Sequence, residues 1–104
     1  MVSLLGGSKA RRGCLILLDF AFTNQLKKDL KLMERRGKNI DKIYDVIALL
    51  VWEEPLPERC REHGLSGDYE GLTDCHVEND WIMIYRKSNE KIVFYYTGTH
   101  SDLL

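Results

Sequence analysis

The sequence predicts an α+β domain in which a two-helix hairpin packs on a small, antiparallel-dominated sheet, in the order β-α-α-β-β-β. Three features predict it: an early aliphatic run, two amphipathic helical patterns, and a final third rich in β-forming residues. A chain of 104 residues and 12.1 kDa is long enough for one domain with a single core. We assign residues 1–13, which include three glycines, to a flexible leader and residues 14–104 to the domain.

The first half of the chain contains a strand followed by two helices. Residues 15–20 are short and mostly aliphatic, which indicates a buried strand. From Phe22, apolar residues recur every three or four positions with lysines between them, which predicts an amphipathic helix ending at Gly37. Asn39 is placed to cap a second helix. The apolar stripe of that helix comprises Ile40, Ile43, Tyr44, Ile47, Leu50 and Val51.

The second half consists of a loop followed by β-structure. Pro55 and Pro57 end the second helix and open a loop that extends to about Ser66. Two runs dense in β-formers flank a polar turn at residues 88–90, which predicts a hairpin. The predicted strands span residues 69–73, continued past an irregularity over 75–77, then 81–86 and 91–96.

Composition argues against a membrane or secreted protein. The longest apolar run, residues 14–18, is far too short to cross a bilayer. The N-terminus lacks the hydrophobic stretch of a secretory signal, so we expect a cytoplasmic protein with no membrane partner. Three cysteines cannot all pair, and reduced thiols fit that compartment.

Charge is unevenly distributed along the chain. The net charge of −1 combines a basic stretch and an acidic one. Residues 24–38 hold six Lys or Arg against two acids, a net +4, whereas residues 52–80 hold nine acids against two arginines, a net −7. A basic helix face suits a polyanion, but the acidic stretch argues the other way. Composition therefore leaves the nature of a partner open.

All three histidines, His63, His76 and His100, lie in the last 42 residues and in polar or glycine-bearing settings. Histidine titrates near neutrality, so three gathered imidazoles can move protons without a cofactor. The alternative is that each is an ordinary polar residue, since most single histidines in loops are. His76 and Asp80, four residues apart, need not face each other in a strand and turn.

A zinc site is a second alternative. Cys60, His63, Cys75 and His76 provide two thiolates and two imidazoles, which are zinc ligands. Cys75 and His76 are adjacent, however, and adjacent residues of a strand point to opposite faces. A cysteine nucleophile has less support, because no cysteine has a local signature of that chemistry.

Several segments of the chain, taken in order, form one pattern. After His63 come L-x-G-x-Y-x-G at residues 65–71, D-x-H-V-x-x-D-W at 74–81 and T-G-T-H-x-x-L at 97–103. This order resembles the YafQ branch of the RelE superfamily, which are toxins of bacterial type II toxin–antitoxin modules. Residues 24–38, NQLKKDLKLMERRGK, are similar to the first helix of that branch. The resemblance covers roughly residues 15–104.

The resemblance implies a RelE-like microbial ribonuclease fold, ribosome-dependent cleavage of mRNA without a cofactor or metal, and silencing by a cognate antitoxin. It places catalytic roles on His63, His76, Asp80 and His100. In such cleavage the ribose 2′-hydroxyl attacks the phosphate. We expect Asp80 or His76 as the base, His100 as the acid and protonated His63 as the phosphate ligand. Residues expected to bind substrate are Trp81, Arg86, Lys91 and Leu104.

Trp81 follows the Asp of the motif and is expected to stack on a base. The alternative is that Trp81 starts a strand with its ring in the core.

The antitoxin is expected to lie over the first helix, along residues 27–36.

The chain departs from the family by lacking several basic residues. Glu70, Thr73 and Tyr96 stand where relatives often carry Lys or Arg, and Leu104 replaces a terminal aromatic. Fewer cations weaken binding to phosphates, which favours a weaker nuclease or an inactive relative that acts as an antitoxin-binding module. Compensating cations would be Arg86 and Lys91 on the hairpin and Lys27, Lys28 and Lys31 on the first helix.

Overall fold

The computed structural model describes residues 18–103, which form one five-stranded sheet and three helices. The strands are β1 (Asp19–Phe22), β2 (His63–Gly64), β3 (Thr73–Glu78), β4 (Trp81–Lys87) and β5 (Lys91–Gly98). The helices are α1 (Asn24–Arg35), α2 (Ile40–Val51) and the single-turn α3 (His100–Leu103), with 3₁₀ turns at Glu58–Cys60 and Gly67–Tyr69. No helix of this part of the chain has the length and apolar composition needed to cross a membrane.

The strand order is β1-β5-β4-β3-β2, and every pair is antiparallel except β1 with β5. The predicted α+β class with two helices on an antiparallel-dominated sheet is therefore confirmed. The leader predicted for residues 1–13 lies outside the described residues.

The junction between β1 and α1 differs from the prediction by two residues. Phe22, predicted to begin the helix, is the last residue of β1 and pairs with Phe94. Thr23 starts α1 instead, since its Oγ1 accepts a hydrogen bond from the Leu26 amide at 3.0 Å and donates to the Tyr95 carbonyl at 2.9 Å. The strand predicted over residues 15–20 is described only from residue 18, where β1 begins at Asp19.

The helix hairpin is built as its capping residues predict. Gly37 adopts a φ of +87°, a left-handed conformation that favours glycine, and the Lys38 amide then bonds back to the Met33 carbonyl at 3.0 Å. Asn39 caps α2 by accepting from the Asp41 amide at 3.0 Å. The predicted apolar stripe is wrong at Tyr44, which is 46% exposed. Val46, which was not part of that stripe, is buried.

Between α2 and β3 the chain is less regular than predicted. The strand predicted over residues 69–73 does not form, because Tyr69 ends a 3₁₀ turn and β3 begins only at Thr73. Gly67 and Gly71 have φ values of +68° and +89°, which break an extended backbone on both sides of Tyr69. The β4–β5 hairpin is confirmed, whereas β2 and α3 were not predicted.

The core lies between the sheet and the helices α1 and α2. Along β4 the side chains of Trp81, Met83 and Tyr85 face this core, and the residues between them face the other side of the sheet. The Trp81 indole Nε1 donates to Thr97 Oγ1 at 2.8 Å, and that hydroxyl donates to the Ile82 carbonyl at 2.8 Å. Thr97 is thus a buried polar bridge between β5 and β4.

Replacing Thr97 with Val should lower the free energy of unfolding by about 1–3 kcal/mol. The substitution keeps the shape but leaves the Trp81 N–H without its partner in a buried environment and removes the bond to the Ile82 carbonyl. Urea denaturation of the purified protein measures the change. Thr97→Ser keeps the hydroxyl and should lose clearly less stability than Thr97→Val; equal losses would show that the methyl group, not the hydrogen bond, matters.

Candidate active site

Asp80 and His100 form a hydrogen-bonded pair at one end of the sheet. Asp80 lies in the turn between β3 and β4, and His100 begins α3 directly after β5. The pairing of Ile82 with Gly98 brings these two points together. Asp80 Oδ1 accepts from His100 Nδ1 at 2.8 Å and from the His100 amide at 3.2 Å.

The pair fixes a protonation state for each partner. The hydrogen bond from the His100 side chain, followed by that from its amide, holds the pKa of the Asp80 carboxyl below its usual range. An ionised carboxylate only accepts, so the proton of a neutral His100 ring sits on Nδ1 and its Nε2 faces away from Asp80. His100 is therefore oriented to exchange a proton at Nε2.

His76 lies beside His100. It is on β3 opposite Ile82, and its ring centroid is 5.2 Å from that of His100. Unlike the other two histidines, His76 has no carboxylate within ion-pair distance among residues 18–103. Its Nδ1 is buried without a hydrogen-bond partner. His76 is thus an imidazole whose protonation is not tied to a neighbouring acid.

His63 forms a second imidazole–carboxylate pair with Asp74. The two residues are directly opposite each other on β2 and β3, and His63 Nε2 lies 3.7 Å from Asp74 Oδ2. His63 is 55% exposed, whereas Asp74 is 1% exposed and its Oδ1 has no hydrogen-bond partner. Because Nδ1 of His63 lies 2.9 Å from the Arg61 carbonyl, an acceptor, that nitrogen carries a proton. A second proton on Nε2 would then face a buried carboxylate.

The segment that carries His63 is anchored from the sheet. The Tyr85 hydroxyl on β4 donates to Glu62 Oε2, one residue before His63. Burial, followed by this hydrogen bond, raises the pKa of Tyr85, so the phenol keeps its proton. Arg61 adopts a left-handed φ of +47°, which turns its carbonyl toward the His63 ring. These contacts explain how a two-residue strand can hold an exposed imidazole.

The structure brings the four residues predicted as catalytic onto one side of the sheet. Asp74 and His76 are two positions apart on β3, so both point to the face opposite the helices, and His63 joins them across β2. His63 is a diagonal neighbour of His76, for which Cα separations are about 7–8 Å. Their catalytic roles stay predictions.

Sequence analysis missed Asp74, although a signal was present. The motif segment reads D-x-H, and in a strand that spacing places Asp74 on the same face as His76. It also missed Arg59 and Arg61, which line a cavity of about 330 Å³ together with His76 and Asn79.

Comparison with known proteins identifies the family. The model of a family described as the bacterial toxin of type II toxin–antitoxin system, YafQ, matches residues 18–104. The chain belongs to the YafQ toxin family. The resemblance noted in the ordered histidine segments is thereby confirmed.

Two YafQ structures and one relative support this membership. The mRNA interferase toxin YafQ of Escherichia coli strain K12 is 38% identical over 90 residues, covering 86% of this chain and 98% of the relative. The crystal structure of YafQ from E. coli strain BL21(DE3) aligns with a TM-score of 0.80 at 35% identity, covering 84% of this chain and 98% of that one. YafQ in the E. coli DinJ–YafQ toxin–antitoxin complex aligns at 0.79 with 38% identity, covering 86% and 99%.

Three of the four residues expected to bind substrate in this YafQ-family chain, Trp81, Arg86 and Lys91, do not join the histidines. Trp81 is fully buried in the core, where no base can stack on its ring, so the alternative placement at the start of a strand holds. Arg86 and Lys91 lie beside the β4–β5 turn, at the other end of β4 from Asp80, and strand rise puts about 16 Å between Trp81 and Arg86. Leu104 lies outside the described residues.

The proposed zinc ligands do not converge. Cys75 faces the helix-side core while His76 faces the opposite side of the sheet, so they cannot bind one ion together. Burial raises the pKa of the Cys60 and Cys75 thiols, which favours the protonated form over a thiolate ligand. Within residues 18–103 no three His, Cys, Asp or Glu side chains are grouped for a metal.

The turn that carries His100 is held by contacts on both sides. Arg36 Nη1 at the end of α1 bonds to Asp102 Oδ2 at 2.7 Å, and the Thr99 amide donates to the same carboxylate at 3.0 Å. From the other side, the Tyr69 hydroxyl donates to the Leu103 carbonyl at 2.9 Å. The hydrogen bond from Arg36, then that from Thr99, lowers the pKa of Asp102 to about 2.

The Asp102 interactions should give a stability difference that disappears in acid. A lowered carboxyl pKa contributes stability above the ordinary value near 3.8, and this contribution is lost as pH falls through about 2. Asp102→Asn should therefore melt below the parent at pH 6, with the difference in Tm shrinking between pH 4 and pH 2. Asp68→Asn, at an exposed site without a side-chain partner in the described region, is the matched control. A difference in Tm that is constant with pH would contradict the assignment.

Proposed function

We propose that this chain is the toxin of a type II module and acts in the cytoplasm as an endoribonuclease that cleaves mRNA on the ribosome. The observation that carries the proposal is the arrangement of His76 between two imidazole–carboxylate pairs, Asp80–His100 and Asp74–His63, on one face of the sheet. The name of the E. coli relatives, mRNA interferase toxin YafQ, supports the same activity.

The proposed reaction is transesterification at a phosphodiester. The ribose 2′-oxygen attacks phosphorus as a base takes its proton, and the bond from phosphorus to the 5′-oxygen breaks as an acid protonates that oxygen. The products are a 2′,3′-cyclic phosphate and a free 5′-hydroxyl. The site must therefore provide a base, an acid and a positive donor for the charged intermediate.

His100 suits the acid and His76 the base. Asp80 accepts from Nδ1 of His100, so Nε2 of the protonated ring is left to donate to the leaving oxygen. The lowered pKa of Asp80, with its Oδ1 occupied by His100, makes this carboxylate a poor base. The His76 ring centroid is 5.2 Å from that of His100, and no carboxylate of residues 18–103 lies within ion-pair distance of His76, so this ring is the group placed to accept the 2′ proton.

His63 suits the role of phosphate ligand. With a proton already on Nδ1, it becomes a cation when Nε2 is protonated, and Asp74 lies 3.7 Å from that nitrogen. A buried carboxylate needs a compensating positive charge, and His63 is the ion-pair partner of Asp74 among the described residues. Asp74 is thus a positioning residue whose carboxylate lies beside the nitrogen that carries the second proton of His63.

The ribosome would supply much of the affinity for RNA. The chain has a net charge of −1, so it has little long-range attraction for a polyanion beyond the local contacts of its site. A ribosome that already holds the mRNA presents it to the bound protein in a fixed orientation, so protein and mRNA need not meet by free diffusion. Ribosome dependence follows from this weak intrinsic attraction.

An antitoxin is the expected protein partner. E. coli YafQ is found in a toxin–antitoxin complex with DinJ. In this chain, α1 presents an exposed basic surface that suits an acidic segment of an antitoxin, formed by Lys27, Lys28, Lys31 and Arg35.

Loss of the proposed acid tests the function. His100→Ala should reduce cleavage of translated mRNA by about 10²–10⁴-fold and relieve growth arrest, because proton transfer to the leaving oxygen is lost. Cleavage is measured by mapping 5′ ends in a purified translation system. Lys87→Ala, which removes a charge at the far end of β4, is the control. Undiminished toxicity of the alanine variant would show the acid assignment to be wrong.

The same assay separates the nuclease from an antitoxin-binding module. The missing basic residues at Glu70, Thr73 and Tyr96 favour the module. It predicts nanomolar antitoxin binding with no cleavage by the parent protein in the presence of ribosomes and mRNA. Cleavage by the parent protein that is lost in His100→Ala excludes the antitoxin-binding module.

Asp74→Asn tests the charged form of His63. The isosteric amide removes the negative charge, so kcat should fall roughly tenfold, equivalent to about 1.4 kcal/mol of transition-state stabilisation, with little change in KM. Stability should not fall, because the variant no longer buries a carboxylate with an unpartnered oxygen. Asp68→Asn is the control. An unchanged kcat, or a loss of activity accompanied by unfolding, would refute the positioning role.

A further inference from the structure

A cationic cavity lies next to the histidine cluster. It has a volume of about 330 Å³ and is lined by Arg59, Arg61, His76 and Asn79. All four of these side chains carry N–H groups that can donate, and no acidic side chain lines the cavity. His76 belongs to both the cavity and the histidine cluster, so a molecule in the cavity would touch the reacting region.

The two arginines have no side-chain partners in the described part of the chain. Neither the Arg59 nor the Arg61 guanidinium forms an ion pair or side-chain hydrogen bond within residues 18–103. They are also the two cations of residues 52–80, a stretch with nine acids, and both line this cavity. Two guanidinium groups on one small cavity with no acid lining it form an anion site, since such groups bind phosphate through paired N–H donors.

The backbone fixes the position of both arginines. They flank Cys60, which is 1% exposed and anchors the 3₁₀ turn against the core. The Arg61 amide bonds back to the Glu58 carbonyl at 3.0 Å, and the Arg61 carbonyl holds the His63 ring. The backbone at both arginines is therefore held in place beside His63.

We propose that this cavity binds a backbone phosphodiester of an RNA strand, one that neighbours the phosphate held at the histidines. The inference rests on the proposed function for the identity of the cleaved strand. It locates phosphate contacts in a chain that lacks the basic residues expected at positions 70, 73 and 96. The phosphodiester belongs either to the mRNA or to ribosomal RNA, which present the same chemistry.

The test measures binding of an uncleavable RNA. A fluorescent tetranucleotide with 2′-O-methyl ribose at every position is titrated into the parent, Arg59→Ala, Arg61→Ala and the control Lys87→Ala over a range of NaCl concentrations. Each arginine variant should bind about tenfold more weakly than the control. The slope of log K against log salt should become shallower by about 0.7 for each phosphate that the variant no longer neutralises.

A second titration uses vacant ribosomes to identify the source of the phosphate. Weaker tetranucleotide binding assigns the cavity to the mRNA, while a loss confined to ribosome binding assigns it to ribosomal RNA. Unchanged binding of both, or a loss confined to antitoxin binding, overturns the proposal. Arg59→Lys, which keeps the charge, should recover part of the affinity, and thermal unfolding checks that each variant is folded.

These outcomes are separate from those of the nuclease assay. If the parent binds RNA through the arginines but cleaves no mRNA on the ribosome, the phosphate site stands and the proposed function fails. If the parent cleaves mRNA while the arginine variants bind RNA as the control does, the proposed function stands and the phosphate site fails.

Discussion

The register of β3, β4 and β5 is the constraint on which the site depends. Successive side chains of a strand alternate between faces, so burying Trp81 and Met83 under the helices sends Ile82 to the opposite side. Ile82 pairs with His76 on one neighbour and with Gly98 on the other, which places His76 on that side and brings the His100 turn beside it. A slip of one residue in β3 would bury His76 in the core and put Cys75 in the site. Burial of the apolar side chains of these strands thereby fixes where the polar side chains of the site lie.

The two imidazole–carboxylate pairs differ in exposure, and this difference separates their roles. The Asp80 side chain is 65% exposed, so water screens its attraction for His100, and protons exchange with solvent between turnovers. Asp74 is 1% exposed, so its charge acts on His63 through a less polar medium and is screened less. The first pair suits a group that must release and regain a proton. The second suits a group that must stay charged.

Local signals predicted those parts of the fold that local interactions decide. The caps at Asn39 and Gly37 and the polar turn between β4 and β5 need only near neighbours, so their sequences sufficed. The segment between α2 and β3 could not be predicted, because β2 depends on Tyr85 binding Glu62 and on Asp74 facing His63, contacts across many residues of chain. In the site, the histidines and Asp80 were found through an ordered motif. Asp74 could be found only by knowing which face of β3 its side chain occupies. The arginine cavity could be found only by knowing that residues 58–60 form a 3₁₀ turn.

Net charge is a poor guide to the potential at this site. The stretch of residues 52–80 carries a net −7, yet five of its nine acids are matched with donors. These pairs are Glu53 with Lys87, Glu62 with Tyr85, Asp74 with His63, Glu78 with Lys42 and Lys38, and Asp80 with His100. The hydrogen bond from Lys42 comes first in lowering the pKa of Glu78, which shows how closely that carboxylate is compensated. The two arginines of the stretch have no ion-pair partner among residues 18–103, and both line one cavity. Because an anion responds to the nearest unpaired charges before it responds to the total, an acidic segment can present a cationic surface to RNA.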